Sequence, residues 1–223
     1  MFDRLALPRV LPFFTYLFFI FIADVLIWAG YAQEQLRYLY VVKIAAVLAL
    51  LWCYRRHYSE LAWPGRATMG WPAIAWSVLA GVVVLLLWLN LGASWMVVGE
   101  PAGFDPRSGG GTDWLLAVVR IAGAALVVPV MEELFWRSFL LRWLQSPNFL
   151  TADPSLLKFR YIVVTAILFG FEHNLWFAGI VAGLAYGWLY VRFRTLWSAI
   201  IAHGVTNGLL GAWVLMTGQW AYW

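Results

Sequence analysis

Three short patterns place reactive side chains inside stretches that are otherwise apolar: Glu132-Glu133-x-x-x-Arg137, Phe169-x-x-x-His173 and His203-x-x-x-Asn207. Burying a charge in hydrocarbon costs ~3 kcal/mol or more, so such residues are usually kept for a pathway or a reaction. Two carboxylates, an arginine, two imidazoles and an amide can activate water and stabilise an oxyanion. Adjacent helical residues point about 100° apart, so Glu132 and Glu133 cannot share a face. Glu133 and Arg137 are i, i+4 and can pair along a helix, and a buried arginine needs such a carboxylate. Glu132 is then left facing another direction, where burial makes it a better base near neutral pH. His173 follows Phe169 by one turn. Glu172 beside it is an alternative acid or a partner for the imidazole. His203 and Asn207 are i, i+4, so both can point into one small volume as donors to an oxyanion.

Other readings of the same residues stay open. Both glutamates could only neutralise Arg137 or Arg120. His203 and Asn207 could hydrogen-bond between helices. A glutamate with two histidines is a ligand set of zinc hydrolases, but the H-E-x-x-H spacing is absent and three separate helices would have to supply the ligands. Ser108, Ser146 and Ser198 read as ordinary polar residues, with no Ser-His-Asp arrangement. The expectation is an active site with no metal and no cofactor.

The elements that position these residues are membrane helices. The chain has 223 residues, 64% hydrophobic and 12% charged, far from the roughly 45–50% apolar and 25% charged of a soluble domain. A span needs about 20 mostly apolar residues. Spans are expected at 11–31, 36–54, 72–91, 114–144, 160–173, 176–191 and 196–216, with Asp24 the formal charge of the first. Pro129 inside 114–144 predicts a kink or an interfacial piece, which would raise the count to eight. The fold class is therefore an all-α polytopic membrane protein of about seven or eight transmembrane helices around a buried polar site. Residues 1–223 read as a single membrane domain, with helices of unassigned role over 1–112 and a catalytic helical core over 113–216. The stretch 92–113, with its prolines and Gly109-Gly110-Gly111, predicts an irregular connector.

Basic residues assign the sides. Arg4 and Arg9, then Arg55, Arg56 and Arg66, then Arg142, Lys158 and Arg160, then Arg192 and Arg194 alternate correctly with seven spans. The opposite loops carry Glu34 and Arg37, then Glu100, Asp105, Arg107 and Asp113. This puts the N-terminus in the cytoplasm. No small-residue cleavage site follows the first apolar run, so a retained first span is expected rather than a removed signal peptide. Counted from the basic anchors, Glu132 is ten residues from Arg142, His173 thirteen from Arg160 and His203 nine from Arg194. At about 1.5 Å per residue all three lie roughly 14–20 Å in, so separate segments deliver polar groups to one depth.

Gly179, Gly183 and Gly187 bare one face of the sixth span and suit close helix packing beside the site. The 16 tryptophans fit headgroup-level belts. Cys53 is a small residue in an apolar run, and one cysteine excludes an internal disulfide framework. The net charge of +4 is scattered, which leaves no nucleic-acid footprint.

The three patterns, in this order on separate helices, resemble those of the CPBP intramembrane proteases, also called the ABI or CAAX-protease family. That family includes the eukaryotic CAAX prenyl endopeptidase and many bacterial relatives. The resemblance runs over about 117–211. It implies an all-helical, metal-independent glutamate endopeptidase of a bacterial cytoplasmic membrane. By motif position Glu132 is the base, His173 assists it, His203 and Asn207 form the oxyanion side, and Glu133, Arg137 and Phe169 support them. The implied partners are a membrane-associated protein or peptide substrate and the lipid bilayer. Two other classes remain. A non-catalytic binding, immunity or assembly factor would be expected to lose one of Glu132, His173, His203 or Asn207, and all four are present. A transporter often carries inverted repeats, and no internal repeat is evident.

Overall fold

The computed structural model describes residues 5–65, 68–99, 103–108 and 110–223. Arg4, Arg66 and Glu100, used above as side markers, lie outside the described residues. The protein is an all-α polytopic helical membrane protein. We number its long helices α1 (Leu7–Trp28), α2 (Gln33–Cys53), α3 (Trp71–Asn90), α4 (Trp114–Gln145), α5 (Phe159–Phe171), α6 (Trp176–Phe193) and α7 (Leu196–Thr217). Five of them, α1 to α4 and α7, are long and apolar enough to cross a membrane. Helix α5 is shorter, with 13 residues. At about 1.5 Å per residue it falls short of a ~30 Å hydrocarbon core. The fifth span was expected to reach His173, but α5 stops at Phe171.

Lipid takes the place of water around these helices, so their outer faces stay apolar. Phe14, Phe18, Phe21 and Val25 of α1 are exposed, and so is Cys53. Packing between the helices then depends on close backbone approach and internal polar bonds. Helices α5 and α6 form a tight hairpin for this reason. A Cβ added at Gly183 would stand 2.8 Å from Ala166 Cα, and one at Gly179 2.9 Å from Gly170 Cα. The sixth span therefore serves packing, as its glycine spacing predicts. Helix α3 meets α7 the same way, with Gly81 against Ala202. The Thr206 hydroxyl donates to the Gly81 carbonyl at 2.9 Å.

The two ends of the bundle are built differently. One gathers the start of α1, residues 54–61, the end of α4 and the start of α7. There Arg9 meets Glu60 and Ser138, and the Trp197 indole donates to the Leu61 carbonyl. The other gathers the α1–α2 turn, the α3–α4 connector, the α5–α6 turn and the tail. Gln33 donates to the Gly103 carbonyl, the Val98 amide to Asn174 and the Phe104 amide to Trp220. The α3–α4 connector is more ordered than its composition predicts. It holds a two-stranded antiparallel ribbon, β1 (Arg107–Ser108) and β2 (Gly111–Thr112), with Arg107 opposite Thr112.

Candidate active site

The site is built around a defect in α4. Over Gly123–Val127 the helix widens to a π turn, in which the Val128 amide bonds five residues back to the Gly123 carbonyl. The next donor in that register is Pro129, which has no N–H. The Ala124 carbonyl is thus left without a ladder partner, and the Asn207 side-chain amide of α7 donates to it at 2.9 Å. Gly204, one turn earlier on α7, lets the two backbones meet: a Cβ there would be 2.7 Å from the Ala125 carbonyl oxygen. The proline inside the fourth span therefore produces a widened turn capped by a neighbouring helix, not a break. After Glu133 the helix widens again over Leu134–Leu141. Such π segments are frequent at functional sites.

Glu133 is wholly buried and acts as a hub. Its Oε1 accepts from Arg137 Nη1 at 3.0 Å and from His203 Nδ1 at 3.0 Å. The other end of Arg137 donates to the Gly183 carbonyl at 3.2 Å, and the guanidinium lies over the Phe169 ring, 4.8 Å from its centre. A carboxylate can only accept, so His203 Nδ1 carries a proton. Tyr186 stacks on the imidazole, with centroids 5.0 Å apart and planes 19° apart. The Tyr186 hydroxyl donates to Thr206 at 2.8 Å.

Glu132 points elsewhere, as the helical geometry predicts. It is buried, and its Oε2 has no hydrogen-bond partner among the described residues. His203 Nε2 stands 3.9 Å from that oxygen, beyond hydrogen-bond range. His173 lies in the turn after α5. Its Nδ1 sits 2.8 Å from the Phe169 carbonyl, its ring 4.8 Å from the Phe169 ring, and Trp88 meets it edge-on. A carbonyl only accepts, so Nδ1 carries the proton and Nε2 presents a lone pair. Glu172 does not partner an imidazole. It accepts from the Trp136 indole at 3.2 Å.

Two cavities meet here. An inner chamber of about 190 Å³ is lined by Glu132, Phe169, His173, His203, Thr206 and Asn207. An outer cavity of about 580 Å³ shares Tyr16, Tyr40, Trp88, Arg120, Glu132 and His173 with it, and extends to Gln33, Gly92, Gly103 and Asn174 at the ribbon end of the bundle. Among the residues expected at the site, the structure brings Glu132, Glu133, Arg137, Phe169, His173 and His203 into one cluster. Asn207 joins the inner chamber, but one of its amide hydrogens is spent on Ala124. Arg120 does not pair with either glutamate. It lies over the Tyr40 ring at 4.3 Å.

Sequence reasoning misses Tyr186, Thr206, Trp136 and Lys43. The first three carry no signal in an apolar span. Lys43 does, as a lone cation halfway along α2 that lines the outer cavity. Among the described residues no three His, Cys, Asp or Glu side chains group so as to hold a metal ion.

Residues 114–209 match the family described as Type II CAAX prenyl endopeptidase Rce1-like. The match supports the CAAX-protease family expected from the three motifs, and it contains all of them. With the apolar helices it supports a membrane-embedded peptidase acting on a protein substrate. No curated protein and no solved structure matches the chain significantly.

Proposed function

We propose that the protein is a metal-independent intramembrane endopeptidase in which Glu132 is the general base. The observation that carries this reading is that Glu132, with one buried oxygen lacking a partner among the described residues, lines a chamber together with His173, His203 and Asn207. Leaving a buried carboxylate unsatisfied costs free energy, and a substrate or water would relieve it. Glu132 takes one proton from water while His173 Nε2 accepts a hydrogen bond from the O–H that remains. The hydroxide attacks a peptide carbonyl. The second N–H of the Asn207 amide and His203 Nε2 donate to the oxyanion, then Glu132 returns its proton to the leaving amine. His203 Nε2 donates only when the ring carries a second proton, and the single charge of Glu133 is then shared between that ring and Arg137.

The division of labour follows. Residues 113–216 carry the chemistry, and the helices of 1–112 supply Tyr16, Tyr40, Lys43 and Trp88 to the cavity walls. The basic residues Arg9, Arg55, Arg56, Arg142, Arg192 and Arg194 gather at the end away from the cavity mouth. In a bacterial inner membrane this orients the N-terminus to the cytoplasm and the mouth to the far side.

The test compares protein termini in membranes of cells making the wild type or Glu132→Gln at equal expression. New termini found only with the wild type are the expected result, and they identify the cleavage site. Identical termini in a host that holds the natural partners would shift the reading to a non-catalytic binding or assembly factor.

A further inference from the structure

Two cations in the outer cavity have no role in the chemistry above. Lys43 is nine-tenths buried, with 9% exposure, and its Nζ stands 4.0 Å from the centre of the Tyr16 ring and 5.0 Å from that of Tyr40. Arg120 lies over the same Tyr40 ring at 4.3 Å and over Phe104 at 5.2 Å. Its Nε is buried without a hydrogen-bond partner. Among the described residues, neither cation makes an ion pair with a carboxylate. Ring faces hold cations through their quadrupole and leave the N–H donors unspent. A cation at mid-membrane without a carboxylate partner is a marker of a ligand path.

The position of the pair narrows the ligand. Lys43 lines the outer cavity, and Arg120 lines both chambers, as Glu132 does. The other charged groups facing the outer cavity are Asp24, Arg37 and Glu172, and Glu172 is engaged by Trp136. A ligand held at Tyr40 therefore reaches Glu132 within one continuous space. Its volume suits a ligand the size of a short peptide segment.

We propose that Lys43 and Arg120 form an anion subsite that takes a carboxylate of the peptide substrate, close to the bond presented to Glu132. The assignment rests on the peptidase reading for its ligand class. It makes the N-terminal helices a source of specificity and not only a wall.

The experiment uses the full-length Glu132→Gln protein in nanodiscs, so that bound peptide is not consumed. Two pools of acylated random peptides serve as probes. One carries free carboxylates, and in the other every carboxylate is replaced by its amide. The acid pool should be retained about tenfold better or more, as expected for a charge-assisted hydrogen bond to a buried cation. Lys43→Met and Arg120→Met should each erode that preference, while Arg120→Lys retains part of it. Equal retention of the two pools by the unaltered cavity would overturn the subsite, whatever the fate of the variants. Competition of the acid pool by phosphatidylglycerol, with amide retention unchanged, would assign the cations to a lipid headgroup and also overturn it. Cleavage by the protein with Glu132 intact is scored separately. Acid preference without cleavage would remove the peptidase reading and leave the subsite, and cleavage without preference would do the reverse.

Discussion

The molecule buries two polar clusters of nearly the same residue types, and they are finished differently. At the basic end, Arg9 donates to both oxygens of Glu60 at 2.6 and 2.7 Å and to the Leu5 and His57 carbonyls at 2.9 Å each, and Ser138 closes the group on Glu60. Among the described residues no buried side-chain nitrogen or oxygen of this group is without a partner. In the inner chamber, Glu133 is shared by Arg137 and His203, yet among the described residues one oxygen each of Glu132 and Glu133 is left without a partner. The first cluster joins α1, the loop after α2 and α4, and lines neither chamber. The second borders empty space. Complete satisfaction marks a fastener, and incomplete satisfaction beside a cavity marks a place where something else binds.

Mutations can break that contrast from either side. The largest effect expected is on catalysis. Glu132→Gln keeps the shape and removes the base, and should lower turnover by about 10²–10⁴-fold with the melting temperature nearly unchanged. Purified protein assayed on the identified substrate measures it, and a variant that kept its turnover would reduce Glu132 to a structural residue. Arg9→Met should do the opposite, costing about 3–5 kcal/mol by stranding Glu60 while leaving the turnover of folded protein intact. Thermal denaturation in detergent reads the loss.

Acid adds a second handle on the fastener. Burial pushes the Glu60 carboxyl up, but the hydrogen bonds and charge of Arg9, with Ser138, outweigh it and hold the group below the ordinary carboxylate range. Its contribution is therefore full above about pH 4.3 and is lost as pH falls through the lower folded value. Stability measured against pH should drop in that acid window for the wild type and lie flatter for Glu60→Gln.

Asn207 sits between the two cases, since it both caps α4 and lines the chamber. Asn207→Ala should cost about 1–3 kcal/mol by exposing the Ala124 carbonyl to an unpaired state, and should lower turnover as well. A stability loss with unchanged turnover would confine Asn207 to the cap. The smallest effect belongs to the exposed Asp105–Arg107 pair beside the ribbon, held at 2.6 Å. Arg107 keeps the Asp105 carboxyl below its usual range, but solvent screens the pair, and Asp105→Asn should leave the melting temperature unchanged.

The sequence is legible where the physics is local. Apolar runs predict the seven helices, and i, i+4 spacing predicts the Glu133–Arg137 pair and the divergence of Glu132. The ordered motifs predict which helices meet. What escapes is register and distance. The polar run Glu172-His173-Asn174 follows Phe171, but one-turn spacing from Phe169 to His173 suits a helix that continues, and only the folded backbone shows the stop at Phe171. Arg9 and Ser138 are separated by 129 positions, so nothing local announces their meeting. Pro129 signals a disturbance in α4, but only the folded backbone shows that the answer is a widened turn with Asn207 as its cap.

That widened turn also sets an angle. In an unbroken α-helix, residues twelve apart such as Arg120 and Glu132 face directions roughly 120° apart. One π turn between them holds one extra residue and takes back about 100° of that rotation. The subsite cation and the proposed base are thereby brought onto nearly one face, where both line the two chambers. The single extra residue works as a phase adjuster for the helix: the same sequence wound as regular α-helix through Gly123–Val127 would swing Arg120 about 100° away from the face of Glu132.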